Sequence, residues 1–247
     1  MARFDDLKGK RVVVTGGASG IGLATAQRFT LEGAKVVIFD VNENAIQEVL
    51  KSNPSFAGAV KVDVGNEDDV IKGFEKVDQL IGGIDILVSN AGISIRKPFI
   101  EIGYDQWKKV MDTNLGGMFL CSKEAIKRME KQKSGVILFT ASTNGMQGHP
   151  FYADYNASKA GVILLAKTIA LEYAPWLRVN AICPGYVMTP MQKAEYTEEM
   201  FAVVNEGIPI KRHAEPEEVA ALFAFLASSD AAYITGQFIP IDGGETA

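Results

Sequence analysis

Tyr155 and Lys159 stand four residues apart in a segment of helical periodicity, so both side chains fall on one face, a turn apart. A free phenol titrates near about 10, and to act as a base near neutrality it needs a shift of roughly 2–3 units, about 3–4 kcal/mol. A neighbouring ammonium favours the phenolate and supplies part of that shift. Alone, this pair is ordinary helix surface. Its company gives it weight: Ser142 lies just past an expected strand, Asn114 opens an expected helix, and Asn90-Ala91-Gly92 follows another strand.

A second group carries a different chemistry. Thr15-Gly16-Gly17-Ala18-Ser19-Gly20-Ile21-Gly22 follows the first expected strand and opens the first expected helix. Glycines at 16, 20 and 22 let the backbone turn tightly, approach a pyrophosphate and aim helix N–H groups at the anion. Asp40 ends the next strand, where a carboxylate accepts ribose hydroxyls and repels a 2′-phosphate. No basic residue follows it, and Ser19 rather than Lys or Arg precedes Gly20. The expected cofactor is therefore NAD rather than NADP. Asp63-Val64, at the end of the third strand, is placed to hold the adenine edge.

These residues need a scaffold, and the pattern supplies one. Short apolar runs at Arg11 to Thr15, Lys35 to Phe39, Ala59 to Val64, Ile84 to Ser89 and Gly135 to Thr140 read as buried parallel strands. Leu177 to Ile182 and Gln237 to Ile241 add two more. Helices are expected at Ile21–Glu32, Glu43–Lys51, Glu67–Leu80, Thr113–Glu130, Tyr155–Tyr173 and Glu215–Leu226. Such alternation implies an α/β Rossmann-type fold, a doubly wound, seven-stranded parallel sheet with helices on both faces. No linker or repeat divides the chain, so one domain spanning 1–247 is expected. The irregular stretch at 184–212, with weak helical character around Glu195–Asn205, reads as a substrate lid.

Composition narrows the partners. The 247 residues are 47% hydrophobic and carry a net charge of −5, which argues against nucleic acid or an anionic membrane. Cys121 and Cys183 have no ligand spacing and read as small buried hydrophobes of a reduced compartment. Met1 to Lys10 has no apolar leader segment, and no apolar run is long enough to span a bilayer. The expectation is a soluble, cytoplasmic protein. His149 and His213 lie far apart with no carboxylate cluster, so no metal site is expected.

Taken together, these motifs resemble the short, single-domain branch of the short-chain dehydrogenase/reductase family over Lys10 to Gly244. The resemblance rests on TGGASGIG at 15–22, Asp63-Val64, NAG at 90–92, Asn114, Ser142, YNASK at 155–159, Pro184-Gly185 with Thr189, and DGG at 242–244. Ser89 departs from it, standing where a second asparagine is common. The resemblance implies Tyr155 as proton donor or acceptor, with Lys159 lowering its pKa and binding ribose. It further implies that Ser142 hydrogen-bonds the reacting oxygen and that Asn114 positions a water in a relay to Lys159. Asn90 would lie near the cofactor ribose, and Thr189 with the backbone of Val187 would hold the carboxamide. The implied activity is hydride transfer between NAD and a small secondary alcohol (polyol, sugar or hydroxy acid) or its ketone.

The substrate side is expected in loops at the same sheet edge, with Ser142, Asn144, His149, Tyr152, Tyr155 and Tyr186 foremost. Ser94, Ile95, Arg96, Thr143, Gln147, Phe151, Met191 and Tyr196 are further candidates. Two alternatives stand beside the NAD reading: an NADPH-dependent biosynthetic ketoreductase of acyl-carrier type, which Asp40 disfavours, and a dinucleotide-binding sensor without turnover. A homotetramer or homodimer is expected from the resemblance, with support from apolar Phe119, Ile163 and Leu164.

Overall fold

In the computed structural model, residues 3–247 are described; Met1 and Ala2, the start of the expected domain and of the segment expected to hold no apolar leader, lie outside them. The strands and helices alternate as β1 Arg11–Thr15, α1 Gly20–Leu31, β2 Lys35–Asp40, α2 Glu43–Ser52, β3 Gly58–Lys61, α3 Glu67–Ile81 and β4 Ile86–Ser89. They continue as α4 Tyr104–Met111, α5 Gly117–Met129, β5 Gly135–Thr140, α6 Ala153–Tyr173, β6 Leu177–Pro184, α7 Pro190–Glu195, α8 Glu198–Gly207, α9 Pro216–Ala227 and β7 Phe238–Ile241. The seven strands form one sheet in the order β3-β2-β1-β4-β5-β6-β7, and every pairing is parallel. The order reverses between β1 and β4, which opens a crevice beyond their carboxyl ends.

Both sheet faces are buried, and that is why the strands read as continuous apolar runs. Alternate residues serve opposite layers. Val13, Val37, Leu87, Ile137 and Val179 pack with Phe74 of α3, Cys121 of α5 and Val162 of α6. Val12, Val14, Val36, Ile38 and Leu138 pack with Phe29 of α1, Val49 of α2 and Phe223 of α9. Cys121 and Cys183 are both fully buried free thiols. Among the described residues, no helix is long and apolar enough to cross a membrane.

Several boundaries differ from expectation for identifiable reasons. The third strand ends at Lys61, so Asp63 and Val64 lie in the connection beyond it, where Asn66 caps α3 by accepting from the Asp69 N–H at 3.0 Å. The fourth strand begins at Ile86 instead of Ile84, because Asp85 is drawn to Arg11, accepting from its Nη2 at 2.6 Å and its Nε at 2.9 Å. Asn114 does not open a helix: α4 already starts at Tyr104, and a π-helical turn at Asp112–Gly116 joins it to α5. The stretch at 184–212 holds two short helices, the first started by Thr189, whose hydroxyl accepts from the Gln192 N–H at 3.2 Å ahead of Pro190. Ile163 is a core residue at 5% exposure, so only Phe119 and Leu164 of the expected interface residues are exposed.

The edge strand β7 depends on one buried side chain. Asn180 of β6 donates from Nδ2 to the Ile234 carbonyl at 2.8 Å and accepts from the Gln237 N–H at 3.0 Å. Asn180→Ala removes the partner of the Gln237 N–H and leaves the Ile234 carbonyl with only the longer bond from Arg178 Nη1 at 3.3 Å, and is expected to cost ~1–3 kcal/mol. The check is urea denaturation followed by far-UV circular dichroism, and an unchanged midpoint would count against this role.

Candidate functional site

The crevice at the reversal point is a cleft of about 520 Å³. Of the residues expected to hold a cofactor, it gathers Gly16, Ser19, Gly20, Ile21, Asp40, Asp63, Val64, Asn90, Ala91, Gly92, Tyr155, Lys159 and Thr189. Gly22, Pro184, Gly185 and Val187 stand outside its lining. Gly22 lies beneath the turn, where a Cβ would meet the Gly16 carbonyl oxygen at 2.0 Å. Gly185 borders a smaller cavity instead. Val187 is buried against the α9 layer and bridges to Ala214.

The glycine-rich turn is shaped to leave space. Gly16 and Gly20 have φ of +62° and +50°, a region that L side chains rarely adopt. A Cβ on Gly16 would come within 2.9 Å of Ala91 Cα, and one on Gly20 within 3.3 Å of Thr189 Cγ2. Ser19 starts α1 in an extended conformation with no side-chain cap bond, so the first N–H groups face the cleft without a capping acceptor. Asp40 is held at the far end, accepting from the Ala18 N–H and the Asn42 N–H, each at 3.0 Å. A glycine cradle, an open helix N-terminus and a fixed carboxylate fit a dinucleotide. In chemical terms they supply pyrophosphate donors and a ribose acceptor.

At the inner end of the cleft the chain is tightly bonded. Asn90 donates its N–H to Thr15 Oγ1 at 2.9 Å and its amide to the Thr15 carbonyl at 3.1 Å. Thr140 Oγ1 donates to Asn90 Oδ1 at 2.9 Å, and the Thr140 carbonyl accepts from Lys159 Nζ at 2.7 Å. Asn114 is fully buried. Its Oδ1 accepts from the Ile93 N–H at 2.8 Å, while its Nδ2 donates to the Ile93 carbonyl at 2.9 Å and to Ser158 Oγ at 3.1 Å. In this structure the Asn114 amide therefore holds the loop after β4.

The smaller cavity, about 80 Å³, gathers all six foremost substrate candidates: Ser142, Asn144, His149, Tyr152, Tyr155 and Tyr186. Ser94, Thr143, Met191 and Tyr196 join them, whereas Ile95, Arg96, Gln147 and Phe151 do not line it. Arg96 instead lies over the Phe151 ring, 4.6 Å from its centroid. His213 packs against α8, with its ring 5.0 Å from the Phe201 ring and Nδ1 2.6 Å from Asn205 Oδ1. Gln192 and Glu195 belong to the lining but were not expected, since a short helix in an irregular stretch leaves little periodicity to read. Gly145 escaped notice too: a Cβ there would be 2.7 Å from the Lys159 carbonyl, so its absence lets the turn after Ser142 lie on α6.

Burial sets the titration of the central pair. It pushes the Tyr155 phenol up to about 12, with the Ser142 hydroxyl pulling down and the Glu195 charge pushing up. The expectation that Lys159 lowers the Tyr155 pKa is thus not met by the chain alone, because desolvation outweighs every other influence on the phenol. Burial brings Lys159 down to about 8, with Cys183 acting weakly the other way.

Similarity to known proteins agrees with this architecture. The family model described as enoyl-(acyl carrier protein) reductase matches residues 16–246. The chain is 40% identical to a meso-2,3-butanediol dehydrogenase of Serratia marcescens, covering 99% of this chain and 96% of that protein. It is also 40% identical to 3beta-hydroxysteroid dehydrogenase 1 of Eggerthella lenta, over 98% and 96% of the two chains. A 3-oxoacyl-[acyl-carrier-protein] reductase of Thermotoga maritima is 39% identical over 96% and 98%. Among solved structures, the actinorhodin polyketide ketoreductase with NADPH superposes with a TM-score of 0.93 at 33% identity, covering 99% of each chain.

The low Lys159 value has a consequence for stability. Below pH 8 the lysine is charged in both states and burial costs its full amount. Between about 8 and 10.5 the folded state sheds its proton first, so the unfolded state binds more protons and stability rises with pH. Wild type should therefore gain on the order of 3 kcal/mol relative to Lys159→Met across that window. Parallel urea titrations from pH 7 to 10.5 measure the difference, and a flat difference would contradict it. On sequence, fold and site together, the chain belongs to the short-chain dehydrogenase/reductase family, whose members named here act on alcohols and ketones.

Proposed function

We propose that the protein is an NAD-dependent oxidoreductase that interconverts a secondary alcohol and its ketone by hydride transfer, with Tyr155 as general acid/base. The observation that carries this reading is that Tyr155 borders both cavities, and of the two residues that do so, Tyr155 and Met191, it alone has a proton to exchange. It stands where a group bound in the cleft meets a molecule bound in the pocket. The butanediol and hydroxysteroid dehydrogenases among its relatives support a secondary alcohol as the reacting group.

Bound in the cleft, the nicotinamide dinucleotide supplies the hydride acceptor or donor. The remaining steps belong to the chain. In reduction the Tyr155 and Ser142 hydroxyls converge on the carbonyl oxygen, and Tyr155 gives its proton as that oxygen becomes an alcohol. A phenol near 12 is fully protonated at neutral pH, which suits this direction. In oxidation Tyr155 takes the proton back, and the Lys159 ammonium favours the phenolate that must form. Lys159 Nζ makes one hydrogen bond, to Thr140, and has further N–H groups for a ribose hydroxyl. Asn114 holds the Ile93 loop beside this pair, and Thr189, Asn90 and the turn at Gly16 to Gly22 bind the cofactor.

Asp40 supports NAD, since its carboxylate would lie against a 2′-phosphate. The NADPH-dependent ketoreductase reading is favoured by two findings, the 39% identity to the acyl-carrier-protein reductase and the likeness to a polyketide ketoreductase with NADPH, and Asp40 opposes it. In our reading the chain is one domain with a lid at 184–212, acting in the cytoplasm as a homotetramer or homodimer. Exposed Phe119 and Leu164, at 50% and 61%, support assembly through α5 and α6.

Two experiments test this. Tyr155→Phe should lower kcat by at least about a hundredfold while NAD binding, read by NADH fluorescence, persists; retained turnover would remove Tyr155 from the chemistry. Asp40→Ser should lower the NAD-to-NADP ratio of kcat/KM by about tenfold or more. A wild type that prefers NADP would instead select the ketoreductase reading.

A further inference from the structure

Glu195 closes α7 at the wall of the smaller cavity. Its Oε2 accepts from the Tyr152 hydroxyl at 2.8 Å, which fixes the carboxylate in place. Its Oε1 is buried and has no hydrogen-bond partner. A buried carboxylate oxygen left without a donor is costly, and native proteins rarely keep one without a use for it. Neither the dinucleotide cleft nor the proton transfer at Tyr155 employs this oxygen.

Its position is informative. The Tyr152 and Tyr155 rings are 6.3 Å apart, so the carboxylate sits about one tyrosine away from the reacting phenol. The two are electrostatically in touch, since the Glu195 charge raises the Tyr155 phenol. A small molecule whose carbinol lies at Ser142 and Tyr155 has Glu195 within the same cavity. Of the residues bordering that cavity, only Gly185 and Met191 lack a polar side chain. The wall suits a compact, hydroxyl-rich guest.

We propose that Glu195 is a specificity-determining residue whose free carboxylate oxygen accepts a hydrogen bond from a second hydroxyl of the substrate, so that the pocket selects uncharged diols and sugar-type polyols and rejects hydroxy acids. This rests on the alcohol–ketone reading above and narrows its substrate class. An alcohol without the second hydroxyl leaves a desolvated carboxylate oxygen unpaired, and sites built to bond a substrate hydroxyl discriminate strongly for that reason. A substrate carboxylate would meet a like charge in a confined, weakly screened space.

The test compares matched substrates that differ by one group: 2,3-butanediol against 2-butanol, 1,2-propanediol against 2-propanol, and 3-hydroxybutyrate as the acid. Each is assayed with wild type, Glu195→Ala and Glu195→Gln, after cofactor binding and cooperative melting have been verified. Wild type should prefer each diol over its mono-alcohol by about 10- to 100-fold in kcat/KM, the range of one hydrogen bond to a charged group. Glu195→Ala should bring the ratio to within about threefold, chiefly through a higher KM for the diol. Glu195→Gln keeps a carbonyl acceptor without the charge. It should retain part of the diol preference and raise kcat/KM for 3-hydroxybutyrate by about tenfold. A diol preference absent in wild type, or unchanged in Glu195→Ala, overturns the inference while mono-alcohol turnover leaves the alcohol–ketone reading standing. Absence of turnover with every alcohol and both cofactors overturns that reading and this inference with it.

Discussion

The cluster of hydrogen bonds around Asn90 is the constraint on which the site depends. One amide and one peptide N–H connect Thr15 at the end of β1, Gly16 in the glycine-rich turn and Thr140 at the end of β5. The Thr140 carbonyl then holds the Lys159 ammonium. Cradle, sheet edge and lysine are thereby placed relative to one another by bonds of fixed length. Removing the Asn90 side chain would leave the Thr140 hydroxyl without its acceptor and the Thr15 and Gly16 carbonyls without this donor, at a part-buried point of the cleft wall.

Around Tyr155 two influences oppose each other. Desolvation and the Glu195 charge hold the proton on, and the Ser142 hydroxyl favours its release. The chain's own groups therefore hold the phenol neutral. In the proposed reaction the positive charge of the oxidised cofactor tips that balance, so the proton leaves when the cleft is filled. A buried phenolate is costly unless a positive charge stands beside it.

Much of this was legible because parallel strands buried on both faces leave a plain signature. Val12, Val13 and Val14 cannot alternate with polar residues when layers cover both sides. The turn at 15–22 and the pair at 155 and 159 were legible as well, because turn geometry and helical spacing are local. What escaped was set by tertiary contact. The π-helical turn at Asp112–Gly116 has no periodic signal; Gly117 is pressed to Val64, where a Cβ would be 2.7 Å from Val64 Cγ2. Glu195 reaches the pocket only because α7 folds over Tyr152, forty-three residues away in sequence. Ile163 reads in the sequence as surplus apolar surface, whereas packing of α6 against the sheet buries it, and the same pattern carries no signal for Gly145.

The π-helical turn also constrains how this chain can change length. Such a turn holds one residue more than the regular helix would, and each α-helical residue advances the chain by about 100° around the axis. Deleting a single residue between 112 and 116 would let α4 and α5 run on as one regular helix, locally a more comfortable arrangement. The cost appears on either side. Val110, now buried, and the Asn114 amide, now bonded to Ile93, could no longer both face inward while Cys121 and Ala125 stay in the core. The extra residue works as a phase adjuster between two helical registers. A chain of this kind should tolerate gaps and insertions in its outer loops far more readily than the loss of one residue here.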